Sequence, residues 1–212
     1  DAVEQILADY RAHQDGAGGA IPAQRIDGGL YHTGSQHAGD WGSTDLGGSS
    51  WMTGLLHDAA VRAYATGEDA ATAQFLRRLG TFLVATLEQA SDTDYGGTLW
   101  QPRYAMLLDG TSGQRNGTDV EHSLNVAGAL AWSAYFADLT GQSSSPLRSA
   151  AQQLYASYDI GVNYWIRPAG PASGLPAFRV SPWRKWGWEH RTSDGLAFAL
   201  APAEAVFANG FE

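Results

Sequence analysis

A unit made of one helix, a small turn and a second helix is legible twice along the chain, and its first half a third time. In the first copy Trp51 to Gly67 leads into Glu68 to Ala90. In the second, Val120 to Gly141, closing on Asp138-Leu139-Thr140-Gly141, leads into Pro146 to Arg167. Ser193 to Gly210, closing on Asn209-Gly210, is a third first helix, and the two Thr-Gly turns lie 74 residues apart. A period this long, built from paired helices, predicts stacked hairpins that bury one another's apolar faces.

The two helices of a hairpin differ in pattern. Ser49 and Ser50 are suitable N-cap residues, and the helix that follows carries Trp51, Leu55, Ala59, Val61 and Ala63, which reads as an inner helix apolar almost all round. Its partner sets Phe75, Leu76, Leu79, Phe82, Leu83 and Leu87 against Glu68, Arg77, Arg78 and Glu88, the two-faced pattern of an outer helix. The second hairpin repeats the contrast. Val126, Ala127, Ala129, Leu130, Trp132, Ala134 and Phe136 form the inner helix, and Arg148, Gln152 and Gln153 mark the wetter partner. Gly128, Ala129 and Ala131 are small enough to let helix axes approach closely. Upstream, Asp1 to Gln14 predicts a helix with Val3, Ile6, Leu7 and Tyr10 on one stripe. The Gly- and Ala-rich break from Gly16 to Pro22 is too short to separate domains, so residues 1–212 are expected to form one domain.

Each inner helix follows a long aromatic and polar segment: Arg25 to Gly48, Ser91 to Thr118, and Ile166 to Thr192. Connections between packed helices are normally short, and long ones usually carry function, so these three predict a functional face at one end of an all-α stack. The helix, Thr-Gly turn, helix rhythm and the Trp-rich loops resemble the α/α toroid (six-hairpin) superfamily of glycoside hydrolases, polysaccharide lyases and sugar epimerases. The resemblance covers most of residues 25 to 212 and implies an all-α partial toroid with long loops on one face. The chain offers five or six helices, about half of what a closed toroid needs. A half-toroid arc, a homo-oligomerising half, or the C-terminal part of a longer chain are the expected arrangements.

Composition removes several classes of function. Net charge is −9, with Lys185 the single lysine against twelve scattered arginines, so no basic stripe for nucleic acid exists. No apolar run approaches the roughly 20 residues of a membrane span. The absence of cysteine excludes disulfides, thiolate metal sites and a Cys nucleophile. There is no G-x-S-x-G elbow, Walker loop or dinucleotide fingerprint, and no cofactor or metal is expected. The first residue is Asp1, and the ending Phe207-Ala-Asn-Gly-Phe-Glu212 resembles the tails of some secreted bacterial proteins. An exported protein, extracellular or periplasmic, is the expectation.

The candidate chemistry lies in three places. Asp119-Val120-Glu121-His122 and Trp188-Glu189-His190 each place an acid and a histidine at the entry to an inner helix. Glu121 and Glu189 are 68 residues apart, near the repeat period, so the pairs are expected to share a groove as acid and base. Helix capping is the competing role for Asp119, Glu121 and Asp194, because a first-turn carboxylate meets unpaired N–H groups. The segment Ser181 to Arg191 carries Trp183, Trp186 and Trp188 as faces for sugar rings, with Arg184, Lys185 and Arg191 suited to carboxylates or sulfates. The same residues also suit a plug that fills the end of the stack. Tyr31, His32, His37, Asp40, Trp41 and Asp45 crowd the first long segment.

Two further segments have simpler readings. His57 lies mid-helix and reads as a hydrogen-bonded inner residue. The oxygens of Ser91 to Gly97 could hold calcium, but the segment lacks a full EF-hand loop and reads better as a turn.

Together these patterns and the resemblance imply a secreted carbohydrate-active protein, a glycoside hydrolase or polysaccharide lyase acting on an acidic polysaccharide. In a hydrolase two of Asp45, Asp119, Glu121 and Glu189 would be acid and base. In a lyase His122 or His190 would be the base, with Arg184 or Arg191 neutralising the uronate; His32 or His37 is the alternative base. A non-catalytic glycan- or protein-binding module or subunit is the rival from another class.

Overall fold

The computed structural model describes residues 2–19, 27–37, 39–92, 96–113, 120–165 and 195–200. Its axis is α4 (Ser123–Leu139), against which α2 (Ser50–Gly67), α3 (Ala70–Ala85), α5 (Ser145–Trp165) and the short α6 (Leu196–Leu200) all pack. The position of α4 follows from its composition. Leu124, Val126, Leu130, Ala134 and Phe136 are buried, and so are Ser123, Asn125 and Ser133, which leaves no wet face from Ser123 to Ala131. The amphipathic α3 and α5 flank it. α3 buries Phe75, Leu76, Leu79, Phe82 and Leu83, and α5 buries Leu147, Ala150, Ala151 and Leu154. Close approach of α3 to α4 depends on Gly80, where a Cβ would lie 2.3 Å from the Cβ of Ser133.

The expected all-α partial toroid is overturned, because two antiparallel sheets accompany the helices. β1 (His32–Thr33), β2 (Leu46–Ser49) and β5 (Ala105–Leu107) form one sheet in the order β1-β2-β5, with Gly47 opposite both His32 and Leu107. β3 (Leu87–Asp92) and β4 (Gly97–Pro102) form a hairpin with Leu87 opposite Pro102. Helical spacing from Leu83 to Leu87 suggests that the outer helix runs on to Ala90. Instead it ends at Thr86, whose N–H reaches the carbonyls of Phe82 and Leu83 and whose own carbonyl accepts from Arg103 N at 2.9 Å. Cross-strand pairing offers the residues after Thr86 a full ladder and buries Leu99, with only 2% of its surface exposed, beside α4 and α5. The first two of the long segments expected to be loops, Arg25 to Gly48 and Ser91 to Thr118, therefore contain sheet, and the third, Ile166 to Thr192, lies outside the described residues.

The inner-helix pattern holds for α4 and fails for α2. α2 buries Ser50, Thr53, Gly54, His57 and Ala60, while Trp51, Leu55, Val61 and Ala63 are half-buried and Ala59 is exposed. α4 presents polar groups to this side and selects the matching stripe: Asn125 sits against Gly54, and Ser133 bonds His57. The turns close as expected, by slightly different means. At the second, Gly141 takes φ 70°; at the first, Glu68 adopts the left-handed region with φ 50°, one residue past Gly67.

α1 (Ala2–Gln14) contacts α3, with Leu7 buried and Gln14 Nε2 donating to the Gly28 carbonyl at 2.7 Å. Val3, Ile6 and Tyr10, expected on its packed stripe, are exposed instead. No helix among the described residues is long and apolar enough to cross a membrane.

Candidate active site

The β1-β2-β5 sheet brings together residues far apart in the sequence. β1 runs into the turn Gly34–His37, and the loop that follows is knitted by bonds from Gly34 N to Asp45 O at 3.2 Å and from Trp41 Nε1 to Asp45 O at 2.9 Å. Pairing of Ser49 with Ala105 then carries Tyr104 to the same place, and the Ser50 hydroxyl donates to the Arg103 carbonyl beside it.

The result is a chain of proton-handling groups. His32 Nε2 lies 2.9 Å from His37 Nδ1, so one proton is shared between the rings. His37 Nε2 lies 3.3 Å from the Tyr104 hydroxyl, which donates to Asp40 Oδ2 at 2.9 Å. Asp40 Oδ2 is also 3.5 Å from His37 Nε2. Burial holds the His32 imidazole below its ordinary value, and His37 beside it adds to the effect. Burial lowers His37 as well, against the opposing pull of Asp40. At neutral pH both rings are therefore uncharged, and the His37–Asp40 contact is a dipolar one rather than an ion pair. Aromatic rings fix the geometry. Trp41 stacks on His37 with centroids 4.5 Å apart, Tyr104 meets His37 edge-on at 5.6 Å, and Trp51 stacks on His122 at 5.4 Å.

The expected site residues separate into three groups. His32, His37 and Trp41 are assembled here, but Trp41 is buried between His37 and Gly47 and acts as a brace rather than an open platform. His122 is buried on Trp51 at the start of α4. Glu121 lies in the turn Val120–His122, and only its backbone is described. Asp45 is exposed and folded against Gly42 in its own loop. Asp119, Trp183, Arg184, Trp186, Trp188, Glu189, His190 and Arg191 lie outside the described residues, as do Lys185 and Asp194. Tyr31 is structural: it is 2% exposed, donates to Asp27 Oδ2 at 2.7 Å and meets Phe82 edge-on. Among the described residues no group of three or more His, Cys, Asp or Glu could hold a metal ion.

Sequence reasoning passed over Tyr104 and read Trp51 as core. The signal for Trp51 was its place in the first turn of a repeat helix, equivalent to the entry that drew attention to His122. Tyr104 had none, because it reaches the site through strand pairing between residues far apart in the chain. No protein-family model, curated protein or solved structure matches the chain.

Proposed function

We propose that the chain is an exported carbohydrate-active enzyme of the polysaccharide lyase type, in which Tyr104 and His37 remove a proton from a uronic sugar. The observation that carries this reading is the Tyr104 hydroxyl held between an uncharged imidazole and the Asp40 carboxylate. In elimination a base takes the C5 proton while the C4–O bond breaks, giving an unsaturated uronate and a new reducing end. With His37 as the tautomer bare at Nε2, the Tyr104 proton turns from Asp40 to His37 as Tyr104 accepts one from carbon, Asp40 stabilises the imidazolium that forms, and the imidazolium returns its proton through Tyr104 to the departing oxygen. A lyase must also neutralise the uronate carboxylate, a role we assign to Arg184 or Arg191. Hydrolysis would need two carboxylates facing across a cleft. Among the described residues Asp40 is engaged in the proton chain and Asp45 in its loop; hydrolysis would fall to Asp119, Glu121 and Glu189, whose side chains lie outside the described residues.

A panel of acidic and neutral polysaccharides, followed for ultraviolet absorbance and for reducing ends, tests the proposal. Both signals are expected together on an acidic polymer, with kcat reduced about 100-fold or more in Tyr104→Phe. Reducing ends without absorbance would replace elimination with hydrolysis. A non-catalytic glycan-binding module is the second reading, favoured by the deep burial of His37 and Trp41 at 7% and 8% exposure; silence on every polymer would select it.

A further inference from the structure

A groove runs between α1 and α2 alongside the site. It comprises two adjoining cavities of about 440 and 210 Å³ that share Tyr10, Leu30 and His32. Together they are of the size that holds small-molecule ligands. The walls are mainly apolar, and Ile6, Tyr10 and Met52 are 53%, 38% and 42% exposed along them. This is the apolar face of α1 that packing against α3 does not use.

The polar groups along the groove divide by whether they are already engaged. His13 Nε2 lies 2.9 Å from the Tyr31 carbonyl, and Thr53 Oγ1 donates to the Ser49 carbonyl at 2.7 Å. At the inner wall the buried Ser49 hydroxyl has no hydrogen-bond partner. At the outer end the exposed Asp9 accepts one bond from Gln5, and a carboxylate has room for more. No lysine or arginine is among the described residues lining either cavity. Among the described lining residues an anionic ligand would thus meet a carboxylate and no compensating charge. A ligand with apolar faces and several hydroxyls fits: its C–H faces lie on Tyr10 and the aliphatic walls, and its hydroxyls reach Asp9 and Ser49. A sugar ring has this character.

We propose that the groove is a saccharide subsite for uncharged sugar units, so that the polymer reaching Tyr104 mixes neutral with uronic residues. The saccharide character rests on the function proposed above, whereas the preference for an uncharged unit comes from the groove itself. His32 links the two, since it lines both cavities and bonds His37. A bound neutral unit would lie against His32, with His37 between that ring and Tyr104.

Isothermal titration of the full chain with tetrasaccharides of β-1,4-linked glucose, mannose, xylose and galactose, and with tetragalacturonate, tests the subsite. At least one neutral tetrasaccharide is expected to bind, about tenfold more weakly in Tyr10→Ala, because a sugar-stacking ring contributes on that order. Ile6→Gln, at an exposed position, should weaken binding in the same direction. Tyr104→Phe should leave it unchanged. The subsite is overturned if no neutral tetrasaccharide binds at millimolar concentration, if only tetragalacturonate binds, or if neither groove substitution alters affinity. Because binding is read without turnover, the two proposals fail separately. Neutral binding without elimination on any polymer removes the reaction and keeps the groove, and elimination without neutral binding does the opposite.

Discussion

Lowering the pH should unfold this protein largely through one buried side chain, His57. The ring is fully buried between α2 and α4, with Nε2 2.8 Å from Ser133 Oγ. Ser133 uses its own proton on the Leu76 carbonyl at 2.9 Å, so His57 must donate from Nε2 and keep a bare Nδ1, which has no partner. A second proton would create a charge in an apolar surrounding with no acceptor for the new N–H. Burial lowers the His57 pKa from 6.5 to about 3, against a smaller opposing effect of the Leu76 carbonyl. A depressed folded pKa means that the unfolded chain binds the proton first. The contribution to stability is complete above pH 6.5 and is lost progressively as pH falls toward 3.

The slope in that window is about 1.4 kcal/mol per pH unit, or about 2.5 kcal/mol between pH 7.5 and 4.5. His57→Gln isolates the effect, because the amide can still donate to Ser133 and does not titrate. Urea unfolding of both proteins at a series of pH values should show the wild type losing that much more stability than the variant. If the two fall in parallel, His57 is not held neutral and this account of the α2–α4 contact is wrong.

Three further outcomes are expected. Gly80→Ala should destabilise by about 2 kcal/mol or more in a thermal or urea melt, because the added methyl overlaps Ser133 and Leu147 Cδ2 at the α3–α4 crossing. Glu68→Gly should stabilise by about 0.5 to 1 kcal/mol in the same assay, since it relieves a left-handed conformation at an exposed helix end; a loss of stability would mean that the Glu68 side chain contributes something unrecognised. Any elimination activity should decline on the acid side through a pKa below 6.5, as burial depresses both His32 and His37, and His37→Asn should lower the activity and shift the limb in what remains; a limb above 6.5 would contradict the uncharged pair.

The helices were largely legible because their signals are local. The spacing of Phe75, Leu76, Leu79, Phe82 and Leu83 specifies the buried face of α3 without reference to anything else, and the unbroken small and apolar run in α4 specifies its central position. The failures arose where a second partner decides. Leu87 continues a helical stripe, yet it pairs with Pro102, and a periodicity count cannot see that partner. The buried side of α2 carries Ser50, Thr53 and His57 with Gly54 and Ala60, because Asn125 and Ser133 wait on α4. For the site, His32, His37 and Trp41 were marked by crowding in one segment, whereas Tyr104, 67 residues from His37, needed the β2–β5 pairing to bring it there.

By itself the sequence determined the places of α1 to α5 apart from the end of α3, where the two hairpin turns fall and that no basic stripe exists, since propensity, periodicity and charge are properties of neighbouring residues. Only the tertiary structure decided that sheets join the helices, that α1 leaves an apolar face to form a groove, and that Tyr104 meets His37 and Asp40. Strand pairing and hydrogen bonding between distant residues depend on where the packed helices bring the chain, and no local pattern encodes that position.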